Sequence, residues 1–349
     1  MTALLPTLSF LAVIVVLVLA HEIGHFVTAK AKGVTVQEFG LFLPPRLFSI
    51  KRGETIYSIN AIPLGGFVKM AGEEDPTAPG SLASKSIGTR LLVLSSGAIM
   101  NLLLPVFLFS IAFMVPHDTL KGLVVVEDVA PNSPASAAGV RPGDTILSLN
   151  NQPVDSSIDI HRSIDLNLGR QITLLVRHVD GAEETVRLTP RWKPPEDQGA
   201  VGVLLRNSEA TIVRKSEPFW RAIPMGVTAS IETFVLFKNG IVSMIIGTIP
   251  AQVTGPVGIA QMTGEIARIG FSPLLEFAAF LSINLGIINI FPLPALDGGR
   301  IAFVLLEWLR RGKRISVKAE TRVHAIGFVL LMAFFLAVTY KDILRIING

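Results

Sequence analysis

The chain contains no cysteine in its 349 residues. Disulfide bridges, a cysteine-ligated zinc ion and a thiol nucleophile are therefore excluded, and the redox compartment leaves no mark. Charge is scarce too: Asp, Glu, Lys and Arg make up 17% of the chain, against 50% hydrophobic residues. Globular chains carry about 25% charged residues, so the shortage points to the membrane class, with length to spare for a soluble domain. The scarcity is patterned. None of the four charged residue types occurs in residues 1–20 or 91–116. The net charge is only +4, and the basic residues flank apolar runs, which gives no footing for a nucleic-acid partner.

Residues 4–29, 91–116, 277–296 and 323–340 are long and apolar enough to be predicted as four transmembrane helices. A further stretch, 222–247, is interrupted by Glu232, Lys238 and Asn239 and reads as an amphipathic interfacial helix rather than a span. Lys30, Lys32, Arg46, Lys51, Arg52, Lys69, Lys85 and Arg90 lie between the first two spans. Arg310, Arg311, Lys313, Arg314, Lys318 and Arg322 lie between the last two. Both connections are short, so the positive-inside rule assigns them to the cytoplasm. Both termini and the long middle segment are then external. The first run lacks a basic leader and ends on ionisable residues, so a retained helix is expected rather than a cleaved signal peptide.

At the end of that first run stands His21-Glu22-Ile23-Gly24-His25. Histidines at i and i+4 share one helical face and can share a Zn²⁺ ion, while the Glu between them can act as general base toward water. Ionisable residues inside a membrane helix are costly and mark function. Two histidines leave such a site one protein ligand short, if a fourth position is to take water. The nearest downstream acid, Glu38, lies past the helix-breaking Gly33. Asp297 is the better candidate, closing Asn289-Ile-Phe-Pro-Leu-Pro-Ala-Leu-Asp297 at the end of the third run. Pro292 and Pro294 break the helix at a depth where irregular backbone is tolerated only inside protein or against a wet cavity. Gly298 and Gly299 permit close backbone approach. A lone Asp at a helix end is otherwise a cap. Topology agrees with the ligand reading, because the first and third spans both run inward and bring His21, His25 and Asp297 to one leaflet. Asn289 is suited to hydrogen-bond substrate backbone or a developing oxyanion, the alternative being a polar contact between packed helices.

Four parts follow: an N-terminal membrane half over residues 1–117, a soluble domain over 118–206, an amphipathic connection over 207–272, and a C-terminal membrane half over 273–349. In the first part, Glu54-Thr-Ile-Tyr-Ser-Ile-Asn60 alternates like a strand and Ile62-Pro-Leu-Gly-Gly-Phe-Val68 turns and continues. This hairpin, over about 50–70, could dip into the bilayer and offer an edge at Gly65 and Gly66 to an extended substrate. The alternative is a hairpin that merely packs on the helices. The soluble domain contains Ser133-Pro-Ala-Ser-Ala-Ala-Gly139, Arg141-Pro-Gly-Asp144 and Asn150-Asn-Gln-Pro-Val154. A helix is expected over 158–167, and strands over 171–179 and 184–188 meet at Asp180-Gly181.

Those three elements at those spacings resemble a PDZ domain in its bacterial arrangement. By that resemblance, residues 122–126 would receive a peptide C-terminus or an extended segment by β-augmentation, or the domain would serve as a steric gate. The chain as a whole resembles the site-2 protease family, most closely the RseP-type regulated intramembrane metalloproteases, but with one PDZ domain rather than two. His21-Glu-x-x-His25 and Asn289-x-x-Pro-x-Pro-x-Leu-Asp-Gly298 carry the likeness. Ile62-Pro-Leu-Gly-Gly-Phe-Val-Lys69 matches the family's membrane-associated hairpin, and Gly255-Pro-Val-Gly-Ile-Ala260 precedes the third span. Ser96-Gly-Ala-Ile-Met-Asn101 is similar to a Gly-x-x-x-Asn element, with Ala98 where Pro is common.

The resemblance implies a polytopic α-helical membrane protein with four transmembrane helices, a membrane-associated β-hairpin and an inserted extracytoplasmic α+β PDZ domain. It implies a zinc metalloendopeptidase in a bacterial inner membrane, its active site toward the cytoplasm. Its Zn²⁺ would be held by His21, His25 and Asp297, with Glu22 as catalytic base. Asn289, Gly65, Gly66 and Asn101 are the candidate substrate-binding residues, although Asn101 also fits a role in orienting helices. Substrates would be single-span membrane proteins, such as anti-sigma factors or signal-peptide remnants, cut after an earlier external cleavage. The rival reading is a non-catalytic membrane scaffold whose PDZ domain tethers partners, which would require an incomplete ligand set.

Overall fold

A computed structural model describes residues 4–73, 75–250 and 253–348. The first half of the chain holds α1 (Leu4–Ala31), β1 (Val36–Arg52), β2 (Thr55–Met70), α2 (Ile87–Met114), β3 (His117–Val129), α3 (Pro134–Ala137), β4 (Thr145–Leu149), β5 (Gln152–Pro153) and α4 (Ser157–Leu166). The second holds β6 (Ile172–Arg177), β7 (Glu183–Leu188), β8 (Val203–Lys215), α5 (Phe219–Ile246), α6 (Pro256–Ile269), α7 (Phe271–Ile290), α8 (Asp297–Leu309) and α9 (Val317–Asn348). They fall into two units. One comprises Met1–Ala112, Ile223–Val227 and Val253–Gly349; the other comprises Phe113–Ala222 and Thr228–Gln252.

Among the described residues, α1, α2, α5, α7 and α9 are long and apolar enough to cross a membrane. That is one helix more than the four expected, and the addition is α5, which has the lowest mean hydropathy of the set at 1.4. Its polar residues have partners on α4 within the second unit: Asn239 Nδ2 donates to Asp165 O at 2.7 Å, and Glu232 pairs with Arg162 at 2.9 Å. The third span also differs from expectation. α7 ends at Ile290 rather than 296, because Pro292 and Pro294 have no N–H to continue the ladder. Helix resumes at Asp297, as a separate element.

The hairpin is larger than the 50–70 expected. Residues 38–41 pair on one side with 56–59 and 36–41 pair on the other with 66–70, while 46–52 fold back onto 55–60. The ribbon is thus four strands wide locally, with 46–52 and 66–70 as its edges. Below it, Ala29, Val34, Val36, Met70, Leu82, Val93, Leu94 and Val304 bury together, joining α1, the hairpin, α2 and α8.

A buried ion network ties the same unit across the sequence. Glu307, on α8, is 7% exposed and accepts from Arg90 Nη1 at 2.6 Å and from Arg314 Nε at 3.2 Å. Arg314 Nη2 also donates to Ala83 O at 2.6 Å. Burial by itself would raise the Glu307 pKa, but the Arg90 and Arg314 guanidiniums outweigh it and hold the carboxyl below its usual range. Removing one partner of such a pair leaves a charge buried without compensation, at a cost of about 3–5 kcal/mol. Glu307→Ala is therefore expected to lower the thermal unfolding midpoint of the detergent-solubilised chain clearly, whereas exposed Glu54→Ala should leave it in place.

In the second unit the sheet runs β7-β6-β4-β3-β8, with β5 paired to β4, all antiparallel. Alternate positions of β3 and β6 place Val124, Val126, Ile172, Leu174 and Val176 in a core, as period-two patterning requires, and β4 adds Ile146 and Leu149 on either side of an irregularity in its pairing with β6. Ile160 and Ile164 of α4 cover it, one helical turn apart. Ser133 caps α3 and Ser156 caps α4. Asp144 closes its turn by accepting from Arg141 N at 2.8 Å and from His178 Nδ1 at 3.0 Å. One expectation fails here. Residues 122–126 are not an open edge, because Leu123–Val126 of β3 pairs with β8 and Val124 and Val125 also pair with β4. The outer strands of this sheet are β7 and β8.

Candidate metal centre

α1 is apolar all round, yet one row of it faces protein. Ser9, Val13, Leu17, His21, His25 and Ala29, each four residues from the last, are all at most 9% exposed. The i, i+4 spacing makes them a single stripe, so packing that stripe turns both imidazoles inward together. Opposite them stands Asp297, the first residue of α8, where the helix N-terminus favours a carboxylate. The loop before it is sharply bent, with Ala295 at φ +76. Gly298 and Gly299 are needed there because a side chain on either would run into the Phe291 and Leu293 carbonyls.

The three donors converge. His21 Nε2 lies 3.0 Å from Asp297 Oδ2, His25 Nε2 lies 3.1 Å from the same oxygen, and the two Nε2 atoms are 3.3 Å apart. Ligands about 2.0–2.1 Å from a tetrahedral zinc ion stand about 3.3 Å from one another, so the triangle has the size such an ion needs. The protonation pattern fits as well. His25 Nδ1 is 2.8 Å from Val93 O, and a carbonyl only accepts, so the proton sits on Nδ1. In the neutral ring Nε2 is then a lone pair aimed at a carboxylate oxygen, and a cation belongs between them. Among the described residues this is the one group of three such side chains able to hold a metal. Glu38 is not part of it: its carboxylate accepts from Arg46 and from Ser58 Oγ, both at 2.7 Å.

Behind the imidazoles runs α2. A side chain at Gly97 would collide with both His21 and His25, and one at Gly24 would collide with the Ser96 backbone. The two glycines let α1 and α2 approach at the height of the site. Asn101, one turn on from Gly97, is fully buried, with Nδ2 at 3.3 Å from His21 Nδ1 and Oδ1 unpaired. Rotating that amide by 180° turns Oδ1 toward His21 Nδ1–H, which frees His21 Nε2 as a ligand. Gly97→Ala should displace the histidines at an overpacking cost of about 1–3 kcal/mol, read as faster loss of zinc to a chelator than from the wild type.

A cavity of about 720 Å³ opens in front of the centre, walled by Glu22, Asp297, Arg300, His324 and residues 66–70. Gly66 lies against α1, where a side chain would press on Val18 and Glu22. Gly65 has φ +76, a conformation that glycine adopts without steric cost. The structure thus brings Gly66 and Glu22 together at the cavity. Asn101 stands behind His21, outside the lining, and nearly buried Asn289 is not part of the lining either. Sequence reasoning passed over His324, gave Gly24 no role, and noted Gly97 only as the glycine of the Gly-x-x-x-Asn element. His324 did carry a signal, as an ionisable residue close to the start of an apolar run.

The model of peptidase family M50 matches residues 9–334. The chain belongs to peptidase family M50. A Clostridium acetobutylicum protein with a provisional zinc metalloprotease name is 37% identical over 95% of this chain and 96% of its own length. The zinc metalloprotease RasP of Geobacillus kaustophilus is 29% identical over 96% and 97%. The regulator of sigma-W protease RasP of Bacillus subtilis is 26% identical over 97% and 98%. Among solved structures, the PDZ domain of an SdrC-like protein from Listeria monocytogenes aligns with 25% of this chain and 90% of that one, at 19% identity and a TM-score of 0.22. As an M50 peptidase, the protein is a multi-pass membrane zinc metalloprotease of the site-2 type.

Proposed function

We propose that this M50 peptidase cuts single-span membrane proteins within the membrane, using His21, His25 and Asp297 to hold zinc and Glu22 to move the proton. The observation that carries the reading is the triangle of donors 3.0–3.3 Å apart, facing a cavity that Glu22 lines. Bound there, zinc would supply Lewis acidity toward water and a peptide carbonyl. Glu22 takes a proton from the attacking water and returns it to the leaving amide nitrogen. The edge strand 66–70 pairs with an unwound substrate segment, since these residues both form the ribbon edge and line the cavity. Asn101 holds His21 in its ligating orientation. Asn289 serves packing or substrate contact near the Asp297 loop.

Four spans, with α5 against the inserted unit, remain the topology we favour, supported by the Asn239 and Glu232 contacts. It turns the α1 end that bears His21 and His25 toward the cytoplasm and the Phe113–Ala222 unit outward. That unit is read as a PDZ-like domain that selects or gates substrates, and β8 is its candidate acceptor edge. Anti-sigma factors trimmed outside the membrane are one candidate class, in keeping with the sigma-W regulation in the name of the Bacillus subtilis relative, and signal-peptide remnants are another.

The test is reconstitution of the full chain with full-length and pre-trimmed forms of one single-span substrate, with product masses locating the cut. Cleavage within the span, lost to a zinc chelator and restored by zinc, is the expected result. Deletion of residues 120–206 should leave zinc in place and admit the untrimmed form. Cuts confined to the external region would overturn the intramembrane reading, and an unchanged substrate ratio in the deletion would overturn the gate.

A further inference from the structure

The Asp297 loop is held from the far side by α9, a helix to which nothing so far assigns a role. Ala295 N–H donates to His324 Nδ1 at 3.0 Å. Ala295 is a left-handed, non-glycine residue, and such a conformation persists only where its surroundings impose it. One turn along α9, a side chain on Gly327 would collide with Pro294, so the helix lies directly on the loop. The His324 ring is steadied by Phe303 of α8, 5.6 Å between centroids, and it also walls the catalytic cavity. A single imidazole therefore joins the cavity wall, the bent backbone and the helix that begins with Asp297.

We propose that His324 is a positioning residue for the metal centre. As a hydrogen-bond acceptor for Ala295 N–H, with Gly327 as the seat for Pro294, it fixes the loop so that Asp297 Oδ2 meets both histidines. The inference rests on the zinc reading of His21, His25 and Asp297. Its cause is geometric: only Leu296 separates Ala295 from Asp297, so a freed Ala295 backbone lets the carboxylate swing away from the Nε2 pair. Partners that orient a ligand from behind typically contribute 10–100-fold in metal affinity.

The experiment compares His324→Asn with His324→Gln in the full chain. The Asn amide oxygen reaches the Nδ1 position and can still accept from Ala295, whereas the Gln amide extends to the Nε2 position and cannot. Amide hydrogen exchange at Ala295 is read first, in the metal-free chain, so that the proposal is tested even if zinc binds elsewhere. Protection is expected in the wild type and His324→Asn and not in His324→Gln. Zinc affinity by chelator competition should then fall by about 10–100-fold in His324→Gln alone, with kcat reduced and KM little changed. Gly327→Val, which pushes on Pro294 and spares the imidazole, should lower zinc affinity in the same way. Wild-type exchange and zinc affinity in His324→Gln would overturn the proposal. So would equal losses in the Asn and Gln variants, which would mean that the ring acts by bulk against Phe303 and not as an acceptor.

Discussion

Glu22→Gln is expected to abolish cleavage while leaving zinc bound and the fold intact. Glu22 lies on the cavity wall, beside the metal donors but outside their triangle, and Gln fills the same space without a base. General acid–base groups contribute about 10²–10⁴-fold, equivalent to roughly 3–5 kcal/mol of barrier. The loss should therefore appear in kcat for a single-span substrate, with zinc stoichiometry and thermal midpoint matching the wild type. Substantial residual turnover would show that another group handles the proton. Loss of zinc together with activity would instead make Glu22 a ligand.

Asp297→Ala should strip zinc, and Glu38→Ala should not. Asp297 supplies the third corner of the triangle, 3.0 and 3.1 Å from the two Nε2 atoms. Without it two imidazoles remain, and affinity should fall by more than the roughly 10–100-fold expected of an outer partner. Glu38 is engaged with Arg46 and Ser58. Burial tends to raise its pKa, but the bonds from Ser58 and Arg46 prevail and keep it below the usual carboxylate range. Metal analysis of the purified variants distinguishes the two acids. Equal zinc in the wild type and Asp297→Ala would place the third ligand elsewhere.

Much of the candidate site was legible because its first half is local. Positions 21 and 25 share a helical face by periodicity alone, and Glu22 between them needs no distant partner to be recognised. Asp297 was reached by a different route, from a broken membrane helix in a chain one ligand short. The break itself was read correctly at Pro292 and Pro294, but its consequence was not: α7 stops at Ile290 and a new helix begins on the acid. Asn101 was singled out on resemblance, and the structure buries it behind His21.

The sequence by itself determined four of the five described helices apolar enough to cross a membrane, the candidate residues for the chemistry, and that an α+β unit interrupts the membrane parts. These properties reside in composition and in repeats of two or about four residues, which a short window contains whole. Only the tertiary structure decided that the Val93 carbonyl sets the tautomer of His25, 68 positions away, and that Asp297 closes a triangle with a histidine 272 positions away. It also decided that Gly97 backs both imidazoles, that residues 66–70 form the ribbon edge at Glu22, and that His324 holds the Ala295 backbone. Each of these is a contact between elements brought together by packing. No local pattern encodes the distance between two side chains whose separation is set by every helix that lies between them.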